Sequence, residues 1–123
     1  MSDLRPKGIP VSLLDGIERD ILFTLAVVDE VQAEYNEPVG KVMARLTDSM
    51  QTYQVLTKLL TMLINDSIRR SKSGDDPITE DDVKELIDVP LAAKLVGPVM
   101  KAFGYSLPED EDEDPNAKRS RSS

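Results

Sequence analysis

Ile9-Pro10-Val11-Ser12-Leu13-Leu14-Asp15-Gly16-Ile17-Glu18-Arg19-Asp20-Ile21-Leu22-Phe23 is the stretch on which the fold turns. Ile17, Arg19, Ile21 and Phe23 alternate with mostly polar neighbours, the period of two expected of a strand with one buried face. A strand-like run precedes them, and Asp15-Gly16 between the two supplies the positive φ values that a two-residue type I′ turn requires. The expectation is a β-hairpin. Pro10 has no N–H for a ladder, which confines the first strand to an edge or a strand start. A hairpin alone is marginal in water, so its apolar face must pack on the rest of the chain.

From Thr24 onward the spacing is helical. Thr24 suits an N-cap, and Leu25, Val28, Val31 and Tyr35 recur at helical intervals while Asp29, Glu30 and Glu34 take other faces. Asn36 suits the C-terminal cap, and Pro38 opens a short helix in which Val39, Val42, Met43 and Leu46 follow the i, i+3, i+4, i+7 pattern. Asp48 or Ser49 can cap a long helix from Met50 to about Ser71. Its apolar residues (Met50, Tyr53, Val55, Leu56, Leu59, Leu60, Met62, Leu63, Ile64 and Ile68) cover more than one stripe, as expected of a helix that is central or has two partners. Arg69, Arg70 and Lys72 at its C-terminal end complement the helix dipole as a solvated cap.

Ser73-Gly74-Asp75-Asp76-Pro77 reads as a loop, after which Thr79-Glu80-Asp81-Asp82 opens a helix with an acidic first turn and Asp82 at the capping-box position. Val83, Leu86 and Ile87 form its buried face. Pro90 fits the first turn of a last helix bearing Leu91, Leu95, Val99 and Phe103, with a kink at Gly97-Pro98 and a stop at Gly104. The expected fold is α+β and predominantly helical, an N-terminal β-hairpin packed on a bundle of about five helices. Residues 1–8 read as a flexible N-terminus, 9–107 as a single folded domain and 108–123 as a tail. That tail runs from Glu109 to Asp114 as an unbroken acidic stretch, then Pro115 to Ser123 with no apolar residue larger than Ala, and is expected to be disordered because it cannot offset its ordering entropy.

A chain of 123 residues suits one domain. Only 4% of it is aromatic and none is Trp, so the core must be aliphatic. There is no Cys and no His. That removes disulfides, thiolate nucleophiles, the commonest general base near neutral pH and the commonest metal ligand, so neither enzymatic chemistry nor a cofactor is expected. Glycines are scattered and form no phosphate-binding loop. A net charge of −8, of which the tail accounts for only part, repels nucleic acid. No apolar run of signal-peptide or membrane-spanning length occurs, so neither export nor a membrane is expected.

Asp75, Asp76, Asp81 and Asp82 are the only dense carboxylate group in the expected folded part, but their spacing matches no EF-hand loop and capping accounts for Asp81 and Asp82. No metal site is expected there. Met43, Met50, Met62 and Met100 sit at or beside apolar helical positions, as core fillers or as an adaptable partner surface.

Leu14-Asp15-Gly16-Ile17-Glu18-Arg19-Asp20-Ile21-Leu22-Phe23-Thr24-Leu25, continued through Glu30, Glu34 and Tyr35, resembles the opening of phage tail assembly chaperones of the long-tailed siphophage type. There a strand, a turn and a second strand ending in an apolar-plus-Thr/Asp step lead into a helix closing on Glu-x-Tyr-Gly or similar, and here the helix closes on Glu34-Tyr35-Asn36, with Asn36 where that pattern usually has Gly. The resemblance continues through the Val39 to Leu46 helix, the long apolar helix and Ile78-Thr79-Glu80-Asp81-Asp82-Val83, covering about residues 10 to 107. It implies a non-catalytic, non-structural late protein of the host cytoplasm, absent from the mature virion. Such a protein binds and solubilises the long helical tape measure protein, helps recruit the tail tube protein, often self-associates and often exists also in a frameshift-extended form. On that reading the surplus apolar residues of the long helix, Val55, Leu59, Met62 and Leu63, are the candidate partner-binding residues. Competing readings are an acidic DNA-mimicking inhibitor of a host DNA-binding protein and a structural tail or head-completion subunit.

Overall fold

A computed structural model describes residues 8–47, 50–72 and 74–106. Two strands open the chain, β1 (Ile9–Ser12) and β2 (Glu18–Ile21), followed by α1 (Leu25–Tyr35), α2 (Val39–Ala44) with a 3-10 turn at Arg45–Thr47, α3 (Thr52–Ser71), α4 (Glu80–Leu86) and α5 (Val89–Ser106). An N-terminal hairpin on five helices is the expected α+β architecture. The proposed caps Asp48 and Ser49, the residues before Gly8, and the stretch from Leu107 through the acidic run lie outside the described residues.

The strands pair antiparallel with Ile9 opposite Ile21, Pro10 opposite Asp20, Val11 opposite Arg19 and Ser12 opposite Glu18. That register leaves five residues, Leu13 to Ile17, in the connection, so the two-residue type I′ turn does not form. Of the expected pair only Gly16 has a positive φ, +75°. Gly16 donates its N–H to the Leu13 carbonyl at 2.9 Å, which places Leu14 and Asp15 at the centre of the turn. Asp15 acts through its side chain instead: Oδ1 accepts from the Ile17 N–H at 3.0 Å, and both carboxylate oxygens bind the Arg19 guanidinium. The longer loop reaches α4, where Leu14 N–H donates to the Leu86 carbonyl at 2.8 Å.

Most expected helix boundaries are present with their chemistry. Thr24 Oγ1 accepts from Val27 N–H, and Asn36 closes α1 in the left-handed region at φ 53°. Thr79 and Asp82 form a reciprocal capping box at the start of α4. Asp88 caps α5 by accepting from Leu91 N–H, leaving Pro90 in the first turn. The stop expected at Gly104 is not made: α5 continues to Ser106. It also runs through Pro98, which has no N–H for the Lys94 carbonyl. Gly97 carries no Cβ to clash with the proline ring, and the burial of Leu95, Val99 and Ala102 holds the helix in place.

The core is aliphatic, as the shortage of aromatics requires, with Phe23 and Phe103 in an edge-to-face pair at 5.5 Å. At its centre lies α3, packed against β2, α1, the 3-10 turn, α4 and α5. Neighbours on several sides bury Val55, Leu56, Leu59, Leu60, Met62, Leu63 and Ile64 together. Each such aliphatic side chain contributes about 1.5–3 kcal/mol by leaving water.

Candidate functional site

The four residues expected to face a partner do not. Val55 is 3% exposed, Leu59 0%, Met62 8% and Leu63 0%, all inside the core. At these four positions the apolar surplus of α3 is used up by the elements around it, while Tyr53 and Ile68 of the same helix keep exposed surface. Met43 is likewise buried and Met100 partly so, whereas Met50 is exposed.

The surface is concave elsewhere. An open trough of roughly 700 Å³ lies between β2, α3 and α4. Along its floor run Ile64, Ser67, Ile68 and Ser71, which follow one another on α3 at steps of three, one and three. One wall is β2 with the residue before it, Ile17, and the opposite wall is the Asp75–Ile78 loop with Asp82, Glu85 and Leu86 of α4.

Polar contacts fix each wall. The Asn65 amide spans the loop backbone at Ile78, Oδ1 accepting from its N–H at 2.7 Å and Nδ2 donating to its carbonyl at 2.9 Å. Two charge-free bonds in this paired geometry hold the loop against α3 as a short stretch of ladder would. On the other side Asp66 is 3% exposed and accepts from Arg70 Nε at 2.8 Å and Arg69 Nη2 at 3.3 Å. Arg70 reaches on to the Asp20 carbonyl at 3.4 Å, and Arg69 approaches Glu30 of α1 at 4.0 Å. The basic end of α3 is thus more than a solvated cap, since it ties β2 and α1 to the central helix. Lys58, bonded to Glu80 at 3.0 Å and Glu34 at 3.2 Å, joins α1 to α4. The Glu80 and Glu34 carboxylates together hold the Lys58 ammonium above the usual lysine range.

The trough is electrically one-sided. Glu18, Asp20, Asp75, Asp76, Asp82 and Glu85 line it, against a single cation among the described lining residues, Arg19. Asp15 already neutralises that cation at 2.9 Å. Of the carboxylates singled out by spacing, Asp75, Asp76 and Asp82 reach the trough and Asp81 does not. Among the described residues no group of three or more metal-ligating side chains is gathered, and no helix is long and apolar enough to cross a membrane. Asp29, Glu30 and Glu34 remain on the exposed face of α1.

Sequence reasoning missed Glu18, Asp20, Glu85 and Ile78 as neighbours, because they come from three separate segments. One signal was legible: Asp66, alone in an apolar helix with arginines three and four residues on, has the spacing of intrahelical ion pairs. Comparison of the chain with protein-family models, curated proteins and solved structures returned no match.

Proposed function

We propose that this chain is a non-catalytic tail assembly chaperone of the long-tailed siphophage type. It binds the phage tape measure protein, keeps it soluble in the host cytoplasm and helps bring tail tube subunits to it. The observation that carries the reading is the open trough between β2, α3 and α4, with isoleucine and leucine on its inner surface and carboxylates along its edges. A long helical client needs its apolar stripe shielded while the complex stays dissolved. A half-apolar concavity does the first, and a chain of net charge −8 does the second. The order of elements, hairpin, helix, short helix, long helix and two further helices, agrees with the resemblance over residues 10 to 107 and supports the same reading.

Co-expression with a tape measure protein from the same phage is the direct test. The client should move from the pellet to the soluble fraction and co-purify with this chain, and purified virions should contain none of it. A client equally insoluble with and without the chain, or a stoichiometric presence in virions, rejects the proposal.

A further inference from the structure

We infer that the trough between β2, α3 and α4 is a docking site for a cationic amphipathic helix. The helix lays its apolar stripe on Ile17, Ile68, Ile78 and Leu86 and directs Lys or Arg to the carboxylates at the edges. The identity of the client as a tape measure segment rests on the chaperone reading; the chemistry of the site does not. Ile17 is 54% exposed while Ile68, Ile78 and Leu86 are half-buried, so apolar surface is still open to a partner. A helix with its side chains is about 10–12 Å across, and seating one face of it against isoleucine and leucine is the familiar helix-in-groove mode.

Charge selects among occupants. Six acidic residues line the trough, Asp82 among them as a cap of α4, while the nearby cations are already paired, Arg19 with Asp15 and Arg70 with Asp66, a balance that repels nucleic acid and acidic peptides and attracts a positive one. A second copy of a chain at −8 would bring like charge to the same edges. The chain's own basic stretch, Lys118 to Arg121, begins four residues after the last of the six acids from Glu109 to Asp114 and would carry them to the same place. An extended strand is less suited than a helix, since Arg70 already takes the Asp20 carbonyl of β2.

The test uses the full chain, isotope-labelled, titrated with a synthetic Leu/Lys amphipathic peptide of about 18 residues, about 27 Å as a helix. A Leu/Glu peptide of the same pattern is the control. The Leu/Lys peptide should bind, shift the amide signals of Ile17, Ile68, Ile78 and Leu86, and lose about tenfold in affinity when salt is raised from about 0.05 to about 0.5 M. Glu85→Lys changes one trough carboxylate near the C-terminus of α4, where a cation suits the helix dipole, and should weaken binding about fivefold or more. Asp29→Lys makes the same charge change on α1, away from the trough, and should weaken it by less than about twofold.

Equal binding of both peptides, shifts mapping to another face, or equal losses in the two variants overturns the inference. So does loss of trough signals' native positions on deleting residues 108–123 without peptide, which assigns the trough to the chain's own tail. Trough shifts that track protein concentration alone assign it to a second copy and overturn it too. Repeating the variants in co-expression with the tape measure protein separates the two proposals. A trough that binds Leu/Lys peptide in a chain that never solubilises the client leaves the docking site standing and rejects the chaperone. A soluble client with no peptide at the trough does the reverse.

Discussion

Asp66 and its two arginines show how much one side chain can organise. The carboxylate is buried, yet Arg69 and Arg70 are each more than a third exposed, so the pair is anchored at its acidic end only. Arg69→Ala with Arg70→Ala would leave an uncompensated carboxylate inside the protein and should destabilise it by roughly 3 kcal/mol. Arg70→Ala alone, with Arg69 still in place, should cost about 1 kcal/mol. Urea denaturation reads both as shifts in midpoint at unchanged slope. Asp15 offers a pH-dependent counterpart. The Arg19 guanidinium bonded to Asp15 holds its carboxyl below the usual carboxylate range. A lowered folded-state pKa contributes stability above the unfolded value, about 4, that is lost as the pH falls through the folded one. Asp15→Asn should therefore melt below wild type at pH 7, and the gap should narrow as the pH is taken below about 4. A gap that stays constant down to about pH 2 would show that the turn geometry, rather than the ion pair, is what the substitution removes.

At the scale of elements, propensity and packing compete, and α5 shows packing winning. Gly97-Pro98 and Gly104 are all breakers by residue type, yet the helix passes through each to Ser106. Gly104 is neither at positive φ nor enclosed, since a Cβ built there meets nothing within 4 Å. Gly104→Ala should accordingly stabilise the chain by about 0.5–1 kcal/mol, the ordinary gain of alanine over glycine inside a helix. A left-handed stop at the same place would instead make alanine destabilising, so the sign of the melting shift distinguishes the two conformations. The hairpin carries the same lesson. Asp15-Gly16 is a good two-residue turn in isolation, but the register sets Ser12 opposite Glu18 and sends the loop out to bond Leu86.

For the whole molecule, α3 acts as the axle around which the other elements close. Val55, Leu59, Met62 and Leu63 belong to that core, so Leu59→Asp or Leu63→Asp should unfold the protein rather than yield a folded variant deficient in binding. An unpaired charge at a fully buried site costs several kcal/mol, a large part of the roughly 5–15 kcal/mol that stabilises a typical domain. Circular dichroism and solubility of the isolated variants check this, and a well-folded Leu59→Asp would move that residue back to the surface. The trough draws its floor and walls from residues 17–20, 64–71 and 75–86.

The sequence by itself determined the features that depend on near neighbours. Thr24, Asn36, Thr79 with Asp82, and the alternation of Ile21 and Phe23 act within a few residues, through single hydrogen bonds and alternating faces, and each is found where the spacing put it, whereas Ile17, first of the period-two run, lies before β2 and is exposed. It determined also that α3 is central, because no single face can bury so many aliphatic side chains. Only the tertiary structure decided which of those side chains, if any, remained outside, since that depends on how many elements surround the helix rather than on the helix's own pattern. The same holds for the trough. Glu18, Asp76 and Glu85 look like three unrelated solvent-facing acids along the chain, and come to line opposite walls of one trough because Asn65 pins the loop and Arg70 pins β2 to the same helix.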